Sequence, residues 1–202
     1  MPDASNTLNA RPDAPRSGTA LLVMDLQRGH LTRVGDPGYL PRVASAIGAA
    51  RCAGIPVIHV KLGFRPGHPE VGAGNRVFSA LPPDAYTEDD PDAAIHPDVA
   101  PVPGETVVVK NRVSAFAGND LRQVLAAGSA GHLVLAGIAT SGVVLSTACE
   151  AFDLDYRLTF LADGCADRDP ELHRALLERV FAHRGDVSTV AGWNRAVTGA
   201  AA

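Results

Sequence analysis

Apolar positions recur along this chain in two rhythms. The first is a set of short, continuous runs: Thr19–Met24, Ile55–Val60, Thr106–Val109, His132–Ala136 and Arg157–Ala162. Runs of this length, bounded by glycine or proline and lacking alternation, suit strands buried on both faces. The second rhythm is helical. Leu40, Val43, Ile47 and Ala50 fall on one face of a helix predicted from Tyr39 to about Ala53, which Gly54 ends. Asn119 or Asp120 opens a helix to about Ala127, and Val144, Ala148 and Ala151 mark another that ends near Leu154. Asp169-Pro170-Glu171 has the proline and acid of a helix start, and that helix is expected to run to about His183. A sixth short strand is predicted over Asp186–Val190.

Strands alternating with helices imply a parallel sheet covered on both faces. The fold class is therefore α/β: one doubly wound, Rossmann-like domain of about six strands over residues 18–195. Residues 1–17, rich in Pro, Asp, Asn and Ala, are expected to form a flexible tail, and 196–202 a C-terminal tail. Arg28–Gly38 is predicted as loop, with Gly35 and Pro37 as breakers. Residues 62–105 form a long irregular stretch, which inside a compact domain is usually functional or mobile. It is expected to shape a pocket, although most of its residues fit a surface excursion equally well.

Composition narrows the function classes. The chain has 202 residues and 46% hydrophobic positions, enough to bury a sizeable core. A formal net charge of −4 indicates no nucleic-acid partner. No apolar run reaches the length of a membrane span and no signal peptide is visible, so a cytoplasmic protein with no membrane partner is expected. Cys52, Cys149 and Cys165 lack metal-ligand spacing and fit a reduced protein. Cys52 and Cys149 read as packing cysteines. His59 reads as a core or edge histidine and His68 as a loop histidine, so neither a metal nor a cofactor is expected.

Chemistry gathers at strand ends, where open α/β sheets bind ligands. Asp25 closes the first run and Lys110 the third. Alone, Asp25 also fits a helix or loop cap, and Lys110 also fits a lysine emerging into solvent. Between the fourth run and its helix stands Gly137-Ile-Ala-Thr-Ser-Gly-Val-Val-Leu-Ser-Thr-Ala148, in which Thr140 or Ser141 is a candidate cap. That segment resembles the nucleophile turn of the isochorismatase-like hydrolases, the cysteine hydrolase superfamily. Thr19-Ala-Leu-Leu-Val-Met-Asp25-Leu-Gln27 resembles the family's first strand, and Val107-Val-Val-Lys110-Asn-Arg112-Val-Ser114-Ala-Phe116 its lysine-bearing strand. The resemblance runs from about Thr19 to Trp193.

The resemblance implies that Asp25 is the catalytic acid/base and Lys110 its electrostatic partner. It also implies a cis peptide at Ile138–Ala139, with the N–H groups of Ala139 and Val143 forming an oxyanion hole or its remnant. One position departs from the family: Val143 stands where most members carry the nucleophilic cysteine, and valine cannot attack a carbonyl. Gln27, Arg65, Arg112 and Phe116 are candidate substrate-binding residues. Either arginine fits a carboxylate clamp or a solvated surface charge, and Phe116 fits core or substrate wall.

The first expectation is a hydrolase without a thiol, acting on a small anionic molecule, with vinyl-ether hydrolysis of isochorismate as its model. The alternatives are a repurposed member that binds a metabolite, and an amide hydrolase that uses activated water. The family resemblance further implies a homo-oligomer, a dimer or tetramer.

Overall fold

The computed structural model describes residues 18–32 and 34–199. Six parallel strands form one sheet: β1 (Gly18–Met24), β2 (Val57–Leu62), β3 (Thr106–Lys110), β4 (Ala130–Ile138), β5 (Arg157–Ala166) and β6 (Asp186–Ser188). Their order is β3-β2-β1-β4-β5-β6, the doubly wound arrangement, with the chain reversing direction across the sheet between β1 and β4. The helices are α1 (Arg28–Leu31), α2 (Tyr39–Cys52), α3 (Leu121–Ala127), α4 (Leu145–Asp153), α5 (Pro170–Arg179) and α6 (Val190–Thr198).

The pleat sorts side chains between two cores. From β1, Ala20, Leu22 and Met24 enter one core with Leu121 and Leu125 of α3, Ala148 and Ala151 of α4, and Leu176 and Leu177 of α5. Leu21 and Val23 enter the other with Val43, Ala46, Ile47 and Ala50 of α2 and Trp193 of α6. Both faces of the central strands are thus covered, which is why β1 and β4 read as unbroken apolar runs. The edge strand β3 differs: Val108 and Lys110 are buried, whereas Val107 and Val109 are exposed.

Four departures from the sequence reading have physical causes. The predicted loop after Gln27 holds the short helix α1, too brief to leave an apolar period. β5 continues through the polar Asp163 and Gly164 to Ala166, because a bulge carries its register from Leu135↔Phe160 to Gly137↔Cys165. The bulge keeps its polar atoms paired: Asp163 Oδ1 accepts from Val190 N at 2.7 Å, and its carbonyl accepts from Arg42 Nε at 2.9 Å.

The C-terminal end is a helix where a strand end and a tail were expected. Thr189 caps α6 by accepting from Gly192 N at 3.1 Å, and Gly199 closes it at φ 67°. Ala196–Thr198 therefore belong to α6. The expected tail over 1–17 lies outside the described residues, as do residues 200–202. Finally, the long stretch after β2 builds a satellite core of Phe64, Phe78, Tyr86 and Ala93 beneath Leu62. Two 3-10 turns, Pro91–Ala93 and Pro97–Val99, complete it, with Asp90 capping the first.

Candidate active site

The C-terminal ends of β1, β2 and β3 bring the expected acid and lysine together. Asp25 follows β1 with its N–H donating to the Val60 carbonyl of β2 at 2.8 Å. It adopts φ 58°, a left-handed conformation that Asp tolerates better than most residues. This turns its carboxyl across the end of β2 toward β3. There Lys110 Nζ meets Asp25 Oδ2 at 2.8 Å and also donates to the Arg112 carbonyl at 3.1 Å. Asp25 is 5% exposed and Lys110 3%. Lys110 points inward because β3 alternates: its even positions face the core and its odd ones face solvent.

The pair is electrostatically unbalanced. Burial pushes the Asp25 carboxyl above its ordinary range, and Lys110 opposes that shift. Oδ1 is buried with no hydrogen-bond partner of ordinary geometry among the described residues. A carboxyl with one oxygen held by a cation and the other unpartnered in a dry site can carry a proton on the second and deliver it.

The third element is the turn after β4. Gly137 lies so close to β1 that a Cβ there would fall on the Met24 carbonyl oxygen. The Ile138–Ala139 peptide is cis. A π-type turn, Thr140–Val144, follows and enters α4. Neither Thr140 nor Ser141 provides a side-chain cap. The Ala139 carbonyl accepts from Gly142 N and Val144 N, and the fully buried Thr140 hydroxyl finds a distant partner, His173 Nδ1, at 2.8 Å. Ser141 N donates to Asp167 Oδ2 at 2.7 Å. Val143 is 2% exposed and packs in the apolar cluster that holds Met24, Val108, Ala115 and Phe116.

Of the expected substrate-binding residues, Gln27, Arg112 and Phe116 have side chains committed within the fold. Gln27 is fully buried, and its amide is committed to backbone: Nε2 donates to the Leu62 and Ala93 carbonyls at 2.7 and 2.9 Å, and Oε1 accepts from Leu62 N at 2.8 Å. Arg112 is equally occupied, donating to the Asn111 carbonyl at 2.6 Å and the Glu70 carbonyl at 2.7 Å. Phe116 lies in the core, tilted against Tyr156 with ring centroids 6.0 Å apart. Arg65 alone is exposed, on a cleft of about 420 Å³ that Lys61, Glu70 and Asn111 also line.

The other singled-out residues are structural. His59 is buried against Glu105 Oε2 at 3.0 Å, and His68 is buried in the satellite core, bonded to the Ala85 carbonyl at 2.8 Å. Cys165 is buried with its thiol pushed up to about 12 by burial, so it is inert as a nucleophile. Cys52 is exposed rather than packed. Among the described residues, no three His, Cys, Asp or Glu side chains gather as a metal-holding group.

Two tethers had no signal in the sequence beyond the residue types. Ser114 Oγ donates to Glu150 Oε2 at 2.6 Å, and Thr147 Oγ1 accepts from Ala115 N at 3.0 Å. Both tie the segment after Lys110 to α4, the helix that leaves the turn.

The isochorismatase domain model matches residues 19–192. The maleamate amidohydrolase of Pseudomonas putida is 33% identical over 177 residues, covering 84% of this chain and 82% of the relative. A ureidoacrylate amidohydrolase of Methylobacterium radiotolerans is 34% identical, covering 94% of this chain and 84% of that protein. An isochorismatase family protein from Burkholderia thailandensis superposes with a TM-score of 0.78 at 29% identity, covering 89% of this chain and 95% of its own.

Proposed function

The chain belongs to the isochorismatase family, and we propose that within it the chain is a hydrolase that works by proton transfer from Asp25 rather than by a thiolate. The observation that carries this reading is the buried Asp25–Lys110 pair. Lys110 holds Oδ2 at 2.8 Å while Oδ1 has no partner among the described residues; the buried Val143 stands where the family resemblance puts the nucleophile. The substrate is a small anionic metabolite, with an enol ether of the isochorismate kind as the model.

In that reaction Asp25 gives the proton on Oδ1 to the terminal vinyl carbon. The resulting oxocarbenium ion is stabilised by the Asp25 carboxylate. Water adds to the cationic carbon and returns a proton to Asp25. The hemiketal then collapses to a carbonyl compound and an alcohol, leaving the enzyme in its starting state. Lys110 keeps the carboxylate oriented and limits the rise of its proton affinity, so that the proton can leave.

The amidohydrolase relatives favour a second reading, in which Asp25 is the base that deprotonates water for attack on an amide carbonyl. The two separate in one experiment: product formation from isochorismate, maleamate and ureidoacrylate by wild type, Asp25→Ala and Val143→Cys. Turnover of isochorismate that vanishes in Asp25→Ala supports acid catalysis. Turnover of an amide by wild type supports activated water. Amide activity appearing only in Val143→Cys would sink both and leave a metabolite-binding member of the family. The reading also expects a cytoplasmic homo-oligomer, a dimer or tetramer, which light scattering measures directly.

A further inference from the structure

We propose that Gln27 is a positioning residue: through the backbone of Leu62 it sets where Lys110 stands against Asp25. The argument begins with what Gln27 does not do. It is fully buried, and the three hydrogen bonds of its amide all go to backbone, so it has little left to offer a ligand. Two of those bonds grip one residue. Oε1 takes the Leu62 N–H and Nε2 gives to the Leu62 carbonyl, which is the pairing a neighbouring strand would offer. The backbone ladder between β1 and β2 reaches Met24↔Val60, and the Gln27 side chain continues it one step past the point where Asp25 turns left-handed.

Leu62 is also the last register partner on the other side of β2, opposite Lys110 of β3. Gly63 N then donates to the Lys110 carbonyl at 2.9 Å. Asp25 and Lys110 therefore meet across a strand end whose position Gln27 controls. Lys110 is the charged group facing Asp25 from β3, and from β2 Asp25 meets backbone. The third bond, to the Ala93 carbonyl, pins the returning end of the long stretch to the same point. Gln27 and Ile95 form an isolated antiparallel bridge there, and Arg28 N donates to the Ala94 carbonyl at 3.0 Å.

This inference rests on Asp25 being the working acid, but its test reads Asp25 itself and needs no substrate. The Asp25 carboxyl carbon is titrated by NMR in wild type, in Gln27→Met, which fills the same space without hydrogen bonds, and in Gln27→Asn, which keeps an amide one methylene too short to hold both Leu62 groups. Glu105→Gln, altered at the far end of β3, serves as the destabilised control. Loosening Leu62 shifts Lys110, opposite it in register, and weakens the contact that favours charged Asp25 while burial persists. The Asp25 midpoint is therefore expected to rise by about one unit, roughly tenfold in proton affinity, in Gln27→Met. Gln27→Asn is expected to move it less in the same direction, and the control to leave it in place.

A Gln27 variant that melts earlier but titrates like wild type would overturn the proposal. So would a shift equal to that of the control. Unfolding of both Gln27 variants would assign the residue to the fold instead. A wild type inactive on every substrate would count against the function proposed above and leave this result standing.

Discussion

The two ends of β3 hold carboxylates in opposite conditions. Just before the strand, Glu105 accepts from Arg51 through both oxygens at 2.8 and 2.9 Å, from His59 at 3.0 Å and from Val102 N at 3.0 Å. Those donors, the Arg51 guanidinium first, hold its carboxyl down to about 2. At the strand's other end, the buried Asp25 has one cation on Oδ2 and, among the described residues, no partner on Oδ1, and its carboxyl is pushed up. Both carboxylates pair with cations, so pairing alone does not separate their roles. The number of donors measured against the burial does. A carboxylate with donors on both oxygens contributes to stability. One that is half answered in a dry place is poised to exchange a proton.

The largest expected effect tests the working end. Asp25→Ala should reduce turnover of whatever substrate wild type hydrolyses by roughly 10²–10⁴-fold, the usual scale for losing a general acid. Glu105→Gln, assayed on the folded fraction, should turn over as wild type does. Equal losses in the two variants would erase the contrast.

Lys110→Met comes next. It strands a buried carboxylate, which costs about 3–5 kcal/mol when the charge is kept. Asp25 already binds its proton above the ordinary range, and losing the cation raises it further. A raised carboxyl contributes stability below its unfolded value and loses it as pH rises through the folded value. Urea unfolding of this variant should therefore show stability falling as pH rises, and as pH is lowered its recovery should begin already above the normal carboxylate range. A deficit that is flat with pH would show that Asp25 does not take up the proton.

Glu105→Gln should cost at most roughly 3–4 kcal/mol at neutral pH, at about 1.4 kcal/mol for each unit between 4.5 and about 2, less what solvent screening removes. Here the sign is reversed. A depressed carboxyl contributes stability above its unfolded value and loses it as pH falls through the folded one. The gap between wild type and variant, measured by urea unfolding, should be full above pH 4.5 and close toward pH 2. The pH slopes of the two ends would then have opposite signs, and slopes of one sign would contradict the comparison.

The smallest effect is a control away from both ends. Asp169 caps α5, accepting from Glu171 N and Leu172 N at 3.0 Å each. Asp169→Ala should lower stability by about 1 kcal/mol in thermal melts and move neither carboxyl's titration.

Much of this architecture is legible in the chain. The central strands announce themselves because both of their faces are covered, and α2, α3, α4 and α5 follow from apolar spacing and their end residues. Asp25 and Lys110 stand out because each closes an apolar run. α6 was legible too: Thr189, then Val190, Trp193 and Val197 at helical spacing, then Gly199. The apolar Val190, just past β6, masks its start. The end of β5 was hidden for a different reason. Asp163 and Gly164 look like a terminus, and only their partners in α2 and α6 make a bulge there affordable.

What the order of residues determined by itself is the alternation of strand and helix, and hence a parallel sheet with its chemistry at the strand ends. It also determined the absence of a thiol at position 143. What only the tertiary structure decided is where the polar side chains spend their hydrogen bonds. Gln27 reaches Leu62 and Ala93, 35 and 66 residues away, and Thr140 reaches His173, 33 away. Arg112 crosses 42 residues to the Glu70 carbonyl. Apolar burial is set by spacing, which a sequence displays. A buried polar group must instead find a partner wherever the fold happens to leave an unanswered donor or acceptor, and that partner exists only once the strands have come together.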